Sequence, residues 1–322
     1  MSSALVESGI APFADLPLAE ALATKRSFVE RALARRHLPG TVSPVVPSPR
    51  PAGSRARVKL RVGPSGELGF SRPGTHDFVA VPLNDLVRPE LVAYAEALQA
   101  AGGAKATFEL RSDGDRVVVN AERSFRGPVD LAVQDRRVRG NPTLLVDGLR
   151  VSPGSFYQVN LELNQLVLQR VDELLRDLKP VALLDLYGGV GNLSVRAARR
   201  GVPVTLVESS RCAAADARYN LAGTRAVVVN TDAGKLQAGD HLADVVLLDP
   251  PRAGAQGLLA ELALARPRAF VYLSCDPVSL ARDLASVPDY RIELVEPWDM
   301  FPGTEHIETL VLLTRGEPRR LR

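Results

Sequence analysis

The sequence predicts an α/β protein in which a doubly wound, mostly parallel sheet follows a smaller α+β module. Short, unbroken apolar segments alternate with amphipathic segments after Val159. This alternation is typical of a parallel sheet that helices cover on both faces. Glycines and acidic residues stand at the ends of the apolar segments, where ligands bind in such sheets.

Length and composition define the broad class of protein. The chain has 322 residues, of which 46% are hydrophobic and 24% charged, as in a soluble globular protein of two domains, or of one domain with a large appendage. No apolar run is long enough for a transmembrane helix, and no secretion leader is recognisable, so we expect a cytoplasmic protein. The two cysteines, Cys212 and Cys275, cannot supply a four-thiol zinc or iron–sulfur site, and no metal is expected.

The amino-terminal part combines helices with hairpins. Apolar spacing near 3.6 residues predicts a helix over 18–36, and the following prolines force an extended linker. Alternating apolar residues and turn sequences predict two hairpins, and a helix between them ends at Gly102-Gly103. The predicted ranges are 58–62 with 67–70, 89–101 for the helix, and 107–110 with 116–120.

The carboxyl-terminal part begins with an amphipathic helix that ends before Pro180. Apolar strands then follow one another at the spacing of βα units. The helix is predicted over 163–175, and the strands over 181–186, 204–207, 226–229, 245–248, 270–273, 291–295 and 307–313.

A glycine-rich turn follows the first of these strands. Gly188, Gly189 and Gly191 form a GGxG pattern, which differs from the GxGxxG pattern that binds pyrophosphate. A nucleoside ligand without phosphates, such as S-adenosylmethionine, suits this turn better. Glu208 ends the next strand, where an acid can accept both ribose hydroxyls. Asp232, after the third strand, is either an adenine contact or a solvated acid.

The string Asp249-Pro-Pro-Arg252 follows the fourth strand. Proline restricts the backbone after the strand, so the acid points into the ligand crevice. Many amino-group methyltransferases carry Asn-Pro-Pro-Tyr at this place. Asp249 and Arg252 therefore argue against methylation of an amine.

Cys275 ends the next apolar run, between Ser274 and Asp276. Buried cysteines are commonly structural, but a thiol at the ligand edge of a sheet favours a nucleophile. Glu308 begins the last strand and, taken alone, is either a solvated acid or a base.

Together these motifs resemble one family, the RNA uracil-5-methyltransferases that depend on S-adenosylmethionine. The closest likeness is to the type that methylates a uridine of 23S ribosomal RNA and lacks a TRAM domain, as Trp298-Asp-Met-Phe-Pro302 indicates. The match is firm in the carboxyl-terminal half and fainter before Ser152. It rests on Phe156-Tyr-Gln-Val-Asn160, Asp185–Asn192, Glu208, Asp249–Arg252, Ser274–Pro277 and His306-Ile-Glu308.

The resemblance implies a class I methyltransferase-like sheet with an antiparallel last strand. It implies that Cys275 is the nucleophile and Glu308 the base, with S-adenosylmethionine as cofactor. Residues expected at the cofactor are Gln158, Tyr187, Gly189, Asn192, Glu208, Asp232 and Asp249. We expect an RNA-recognition module over 1–150, a methyltransferase domain over 151–322, and a monomer. The four cysteines that often hold an iron–sulfur cluster in this family are missing, so none is expected.

RNA is the expected partner, and we favour 23S ribosomal RNA. Residues 1–157 contain 21 Lys and Arg against 16 Asp and Glu, a weak excess of positive charge. Arg55, Arg57, Lys59 and Arg61 alternate along one strand and could contact phosphates. Two alternatives stay open: a transfer RNA uracil-5-methyltransferase, and a catalytically idle RNA-binding or assembly protein. A cytosine-5 enzyme fits poorly, because Asp249 stands where such enzymes usually carry a second cysteine.

Overall fold

The computed structural model describes residues 3–75, 77–101, 107–127, 130–237, 243–255 and 257–316. The chain forms two compact units, each built from several segments. The first unit comprises Met1–Pro17, Ser48–Asn164 and Phe301–Glu305, and the second comprises Leu18–Pro47, Gln165–Met300 and His306–Arg322. The predicted domain boundaries, 1–150 and 151–322, differ from these units, because each unit is assembled from three separate segments of the chain. The roles predicted for the two domains stay predictions.

The first unit is built on a seven-stranded sheet with the order β3-β2-β1-β4-β5-β6-β7. Neighbouring strands are antiparallel except β5 and β6, which are parallel. Both predicted hairpins are present, as β1 with β2 and β4 with β5. The strands are β1 Arg57–Val62, β2 Leu68–Ser71, β3 Phe78–Val79, β4 Phe108–Ser112, β5 Val117–Ala121, β6 Leu131–Val133 and β7 Arg136–Arg139.

Two helices and a further hairpin complete the described part of the first unit. Helix α1 spans Ala4–Glu7, and helix α3 spans Pro89–Ala100, close to the predicted 89–101. The glycines predicted to end α3, Gly102 and Gly103, lie outside the described residues. Strands β8 (Leu144–Val146) and β9 (Leu149–Val151) pair separately. Leu60, Leu91 and Leu110 are fully buried in the core between the sheet and α3.

The second unit contains the predicted sheet, in the order β12-β11-β10-β13-β14-β16-β15. All of its strands are parallel except β16, which is antiparallel to both β14 and β15. This arrangement confirms the predicted fold class. The strands are β10 Leu183–Leu186, β11 Val204–Val207, β12 Ala226–Val229, β13 Val245–Leu248, β14 Ala269–Ser274, β15 Tyr290–Trp298 and β16 Glu308–Arg315.

Helices alternate with these strands. Strands β10, β13 and β14 are buried along their whole length, as a sheet covered on both faces requires. The helices are α2 Leu18–Ala34, α4 Leu161–Leu178 (its first turn belongs to the first unit), α5 Val195–Arg199, α6 Arg211–Asn220, α7 Leu258–Leu264 and α8 Pro277–Leu284. Among the described residues, none of the helices has the length and apolarity needed to span a membrane.

The strand order reverses at β10, because β11 lies on one side of it and β13 on the other. The loops that leave β10 and β13 therefore diverge and open a crevice at the carboxyl edge of the sheet. The glycine-rich turn follows β10 and Asp249 follows β13. Both motifs thus lie where this fold binds ligands.

The proline-rich segment after α2 runs along the edge of the same sheet. The amide of Ser43 donates to Val295 at 2.9 Å, and the amide of Val46 donates to Pro297 at 2.8 Å. Helix α2 is also tied to the end of β15 by an ion pair between Lys25 and Asp299, both almost fully buried. This amino-terminal segment is consequently part of the second unit.

Candidate active site

The ends of three strands bring Cys275, Glu308 and Asp249 together. Strands β14 and β16 pair with Ser274 opposite Thr309, and continuing this antiparallel register by one residue places Cys275 opposite Glu308. Strand β13 pairs with β14, so Asp249 leaves the sheet at the same edge. The three side chains interact electrostatically.

The thiol of Cys275 is partly exposed and is held in its neutral form. Burial, followed by the charges of Glu308 and Asp249, raises the pKa of Cys275 to about 11, and Arg252 opposes this increase. The arrangement therefore suppresses the thiolate until another positive charge arrives or a base takes the proton.

Glu308 is only 4% exposed, and its Oε2 atom has no hydrogen-bond partner among the described residues. Burial, followed by the charge of Asp249, raises the pKa of Glu308 well above its usual value, and Arg252 opposes this increase. A carboxylate with a raised pKa is a stronger base, which suits proton removal from carbon. The sequence alone gave no reason to expect this burial.

Arg252 lies at the solvent side of this cluster, against His306. Its Nη2 atom is 3.3 Å from Nδ1 and 3.2 Å from Nε2 of the imidazole, and both residues are exposed. Since Arg252 opposes the pKa increases of both Cys275 and Glu308, it is the positive charge of the cluster. His306 belongs to the motif His306-Ile-Glu308, in which the sequence predicts a role only for Glu308.

Helix α8 holds the loop that carries Asp249 and Arg252. Ser279 Oγ donates to the carbonyl of Arg252 at 2.7 Å, and an Arg282 Nη2 donates to that of Ala253 at 2.6 Å. Asp283, 2% exposed, accepts from the amide of Ala255 at 2.6 Å and from the hydroxyl of Tyr272 at 2.8 Å. These supporting residues were missed, because nothing in a helical segment signals a buried acid that caps a distant loop.

The glycine-rich turn is compressed against strand β11. A Cβ atom at Gly188 would lie 2.5 Å from Cγ of Leu206, so only glycine fits there. The amide of Gly189 donates to Glu208 at 3.0 Å, and the amide of Ser210 donates to the same carboxylate at 2.6 Å. Tyr187 adopts a φ of 58°, a left-handed conformation that is uncommon for a tyrosine. The turn is thus built around the Glu208 carboxylate.

Two acids lie next to this turn, of which Asp185 is buried and Asp249 is half-buried. Asp185 is 0% exposed, and neither carboxylate oxygen accepts a hydrogen bond of normal geometry from a described residue. Burial raises the pKa of Asp185 to about 7, with Glu208 adding to the shift and the hydroxyl of Ser194 opposing it. Burial of its carboxyl group, followed by the charge of Asp185, also raises the pKa of Asp249 to about 7.

Asp232 lies farther along the same edge, after β12. It is exposed, and its Oδ1 accepts from the amide of Gly234 at 2.9 Å at the start of a short 3₁₀ helix. Burial raises the pKa of Tyr187, and the charge of Asp232 raises it further. Tyr187, Glu208, Asp232 and Asp249 therefore belong to one group of side chains at the carboxyl edge.

This group suits a ligand that carries positive charge and hydroxyl groups. Asp185, a buried carboxylate without a hydrogen-bond partner of normal geometry among the described residues, and the neighbouring Asp249 would be stabilised by a cation and destabilised by a phosphate. Glu208 is an acceptor of the kind that binds ribose hydroxyls. Among the described residues, no group of three or more His, Cys, Asp or Glu could hold a metal ion.

Gln158 and Asn192 were also predicted to contact the cofactor. Gln158 is buried within the first unit at 6% exposure, and Asn192 is partly exposed in the second unit, directly after the glycine turn. Their predicted cofactor contacts stay predictions. Phe156 is 53% exposed, with the Arg57 guanidinium 4.7 Å from its ring centre. The hydroxyl of the neighbouring Tyr157 donates to Asp147 at 2.8 Å, and this ring is 7% exposed.

Known proteins are similar to this chain in sequence. A family model described as tRNA (Uracil-5-)-methyltransferase matches residues 232–316. The 23S rRNA (uracil(747)-C(5))-methyltransferase RlmC of Shewanella pealeana is 36% identical over 174 residues, which cover 52% of this chain and 46% of the relative. The 23S rRNA (uracil(1939)-C(5))-methyltransferase RlmD of Chromohalobacter salexigens is 36% identical over 186 residues, covering 55% and 39%.

The matched segment spans about half the length of these curated relatives or less. In structure, the chain is similar to the tRNA (uracil-54, C5)-methyltransferase of Pyrococcus abyssi, with a TM-score of 0.78 and 24% identity over 94% of this chain and 84% of that one. The likeness extends over both units and shows a common fold. The resemblance to RNA uracil-5-methyltransferases that the motifs indicated is therefore confirmed.

Proposed function

We propose that this protein transfers a methyl group from S-adenosylmethionine to carbon 5 of a uridine in RNA, and that the RNA is 23S ribosomal RNA. The observation that carries the proposal is the meeting of Cys275, Glu308, Asp249 and Arg252 at one edge of the sheet. A thiol nucleophile beside a buried carboxyl is the pair that uracil C5 alkylation needs. The relatives named for uracil C5 methylation of 23S rRNA support the choice of substrate.

The chemistry requires a nucleophile because carbon 5 of uracil reacts poorly with alkylating groups. In the proposed mechanism, the thiolate of Cys275 adds to carbon 6, which makes the ring an enolate that is nucleophilic at carbon 5. S-adenosylmethionine, when bound, supplies the methyl group to that carbon. Glu308 then removes the proton from carbon 5, the carbon 5–carbon 6 double bond re-forms, and the Cys275 thiolate leaves.

Arg252 is positioned to support two of these steps. Its positive charge favours the thiolate of Cys275 and the carboxylate of Glu308. Because the guanidinium is exposed and contacts His306, it can also hydrogen-bond to a carbonyl oxygen of the uracil ring as the enolate develops. Helix α8 fixes this loop through Ser279, so Arg252 is held in place before substrate arrives.

For the cofactor, we propose that Glu208 accepts the ribose hydroxyls. The backbone of the Gly188-Gly189 turn would hold the nucleoside, and Asp232 would bind the adenine. Asp185 and Asp249 would supply negative charge that favours the amino and sulfonium groups. The base must leave the stack of an RNA helix before Cys275 can reach it, so the substrate uridine is unpaired or flipped.

Methyl transfer from radiolabelled S-adenosylmethionine to unmodified 23S ribosomal RNA and to unmodified transfer RNA, in parallel, tests the proposal. We expect label in 23S RNA, recovered as 5-methyluridine, and a loss of at least about 10³-fold on Cys275→Ala. Label only in transfer RNA would overturn the substrate and leave the chemistry standing. Turnover that persists in Cys275→Ala would overturn the mechanism, and cofactor binding with no transfer to either RNA would favour an idle scaffold.

A further inference from the structure

The outer edge of the first unit's sheet carries a run of arginines. Strand β7 reads Arg136, Arg137, Val138, Arg139, and all four residues are exposed, Val138 by 54%. Strand β7 is the last in the sheet order and pairs only with β6. Its other side is thus open, among the residues that the structure describes.

The hairpin that presents this strand is tightly defined. Gln134 and Asp135 form a two-residue turn between β6 and β7, with φ angles of 48° and 65°. The Asn120 side chain donates to Asp135 at 2.6 Å and accepts from its amide at 3.2 Å. Two positive φ values are the requirement of the turn that matches strand twist in a hairpin. The arginines of β7 are therefore displayed on a fixed backbone and not on a loose loop.

These arginines also have no carboxylate partner among the residues that the structure describes. Within the described part of the chain, Arg136, Arg137 and Arg139 form no ion pair, whereas the nearby Arg116 pairs with Asp130 at 3.0 Å. Arg139 donates instead to the carbonyl of Phe125 at 2.9 Å.

That hydrogen bond joins β7 to the loop 122–127. The loop adds two more exposed arginines, Arg123 and Arg126, which likewise have no ion-pair partner among the described residues. We call the five residues Arg123, Arg126, Arg136, Arg137 and Arg139 the arginine edge.

We propose that the arginine edge is a binding surface for the phosphate backbone of the substrate RNA. The proposal rests on the proposed function, because it takes RNA as the substrate. It adds the place on the first unit to which that RNA binds. Five like charges on one edge favour a ligand with many negative charges, and guanidinium groups bind phosphate through paired hydrogen bonds. Such contacts supply affinity and orientation without reading sequence.

Protection of a sheet edge against aggregation explains part of this pattern, since charged residues commonly block edge pairing. One or two charged residues on the strand itself are enough to block such pairing. Such protection does not account for Arg123 and Arg126, which lie in the loop outside the strand. The predicted phosphate contacts of β1 are a weaker alternative, because Arg55 and Arg57 stand over the rings of Phe301 and Phe156 and burial lowers the pKa of both.

The test compares two triple variants of the full chain. Arg136→Gln/Arg137→Gln/Arg139→Gln removes three charges from the arginine edge. Arg35→Gln/Arg199→Gln/Arg225→Gln removes three exposed arginines from the second unit and serves as the matched control. Binding of an unmodified 23S RNA transcript is measured by fluorescence anisotropy over a range of salt concentrations, after thermal unfolding has shown that both variants fold.

Each lost phosphate contact lowers the slope of log affinity against log salt by about 0.7 for single-stranded RNA. Three contacts therefore lower it by about 2 and weaken binding by about 100-fold at 0.1 M salt, and the control leaves both unchanged. An unchanged affinity and slope, or an equal loss in the control, would overturn the proposal. If the first variant does not fold, Arg123→Gln/Arg126→Gln, outside the strands, must lower the slope by about 1.4 for the proposal to stand.

Methyl transfer separates this inference from the proposed function. A wild-type protein that methylates 23S RNA, together with a variant that binds it normally, would refute the arginine edge alone. A wild-type protein that transfers no methyl group but loses RNA binding in the variant would refute the activity alone. If the triple variant of the arginine edge binds RNA as the wild type does but no longer binds an acidic protein, the arginine edge is a protein-binding surface and the proposal is overturned.

Discussion

The ionisation of Cys275 can be measured directly by alkylation. In a Cys212→Ala background, Cys275 is the only thiol, since the chain has two cysteines. A pKa of about 11 leaves a thiolate fraction of about 10⁻³ at pH 8, against roughly 0.2 for an ordinary thiol of pKa about 8.5. The higher nucleophilicity of a more basic thiolate recovers about tenfold of this difference. We therefore expect iodoacetamide to react about 20-fold more slowly with Cys275 than with a free thiol at pH 8.

The pH dependence is the sharper part of this prediction. Between pH 7 and pH 10 the alkylation rate, followed by mass spectrometry, should rise about tenfold per unit with no plateau. Glu308→Gln should lower the pKa of Cys275, because Glu308 is the charge that raises this pKa most. The substitution should therefore speed alkylation at pH 8. A rate that levels off below pH 9 would show an ordinary or activated thiol, and would refute the idea that burial and the surrounding acids hold Cys275 neutral.

Three further predictions concern other parts of the second unit. Glu308→Gln should block removal of the carbon 5 proton, so a covalent adduct of Cys275 with RNA should accumulate and appear as a band on a denaturing gel. The Cys275→Ala variant is the control and should give no such band. If Glu308→Gln gives no band either, Glu308 is not the base. Asp185, whose pKa is about 7 in the folded protein, holds a proton that the unfolded chain releases near pH 4, so its contribution to stability is present at low pH and falls by roughly 2 kcal/mol from pH 5 to pH 7. The Asp185→Asn variant should not show this decrease. The free energy of unfolding of both proteins is measured by urea unfolding at pH 5 and pH 7, and an equal change with pH in the two proteins would refute the prediction. Lys25→Met should lower the free energy of unfolding by about 3–5 kcal/mol, because it leaves the buried Asp299 without its ion-pair partner. The double variant Lys25→Met/Asp299→Leu should lose clearly less. Equal losses in the two variants would show that packing, and not the unpaired charge, causes the loss.

Most of the second unit could be predicted from sequence because its signals are local. An apolar run followed by a polar residue marks both a buried strand and the residue at its carboxyl end. That is why Asp249, Cys275 and Glu208 could be assigned to one edge of the sheet. Helix α2, by contrast, was assigned to the amino-terminal module, although the buried pair of Lys25 and Asp299 makes it part of the second unit. Contacts between residues so distant in sequence leave no periodic signal.

The first unit was harder to predict for a similar reason. Strands β6 to β9 are each three or four residues long, too short for an alternating pattern to stand out. Alternation of Arg55, Arg57, Lys59 and Arg61 suggested a basic face, but neighbouring rings and Glu109, 3.7 Å from Arg57, occupy part of it. The arginines that form no ion pair with a described residue lie on β7, and only the sheet order shows that this strand is an edge.

The high pKa of Cys275 is due first to burial and then to the neighbouring acids, which link it to the charge of the cofactor site. Asp249 is itself held near a pKa of 7 by burial and by Asp185, and it raises the pKa of Cys275 in turn. A cationic ligand beside Asp185 and Asp249 would lower the pKa of both acids and compensate their charge, which removes part of the field that suppresses the Cys275 thiolate. Binding of S-adenosylmethionine and ionisation of Cys275 are therefore thermodynamically coupled in the proposed function, and coupling is reciprocal. Alkylation of Cys275 at pH 8 should be faster with a cationic cofactor analogue than with adenosine, which fills the nucleoside site without the positive charge, and equal rates with the two would show that the acids do not control the thiol.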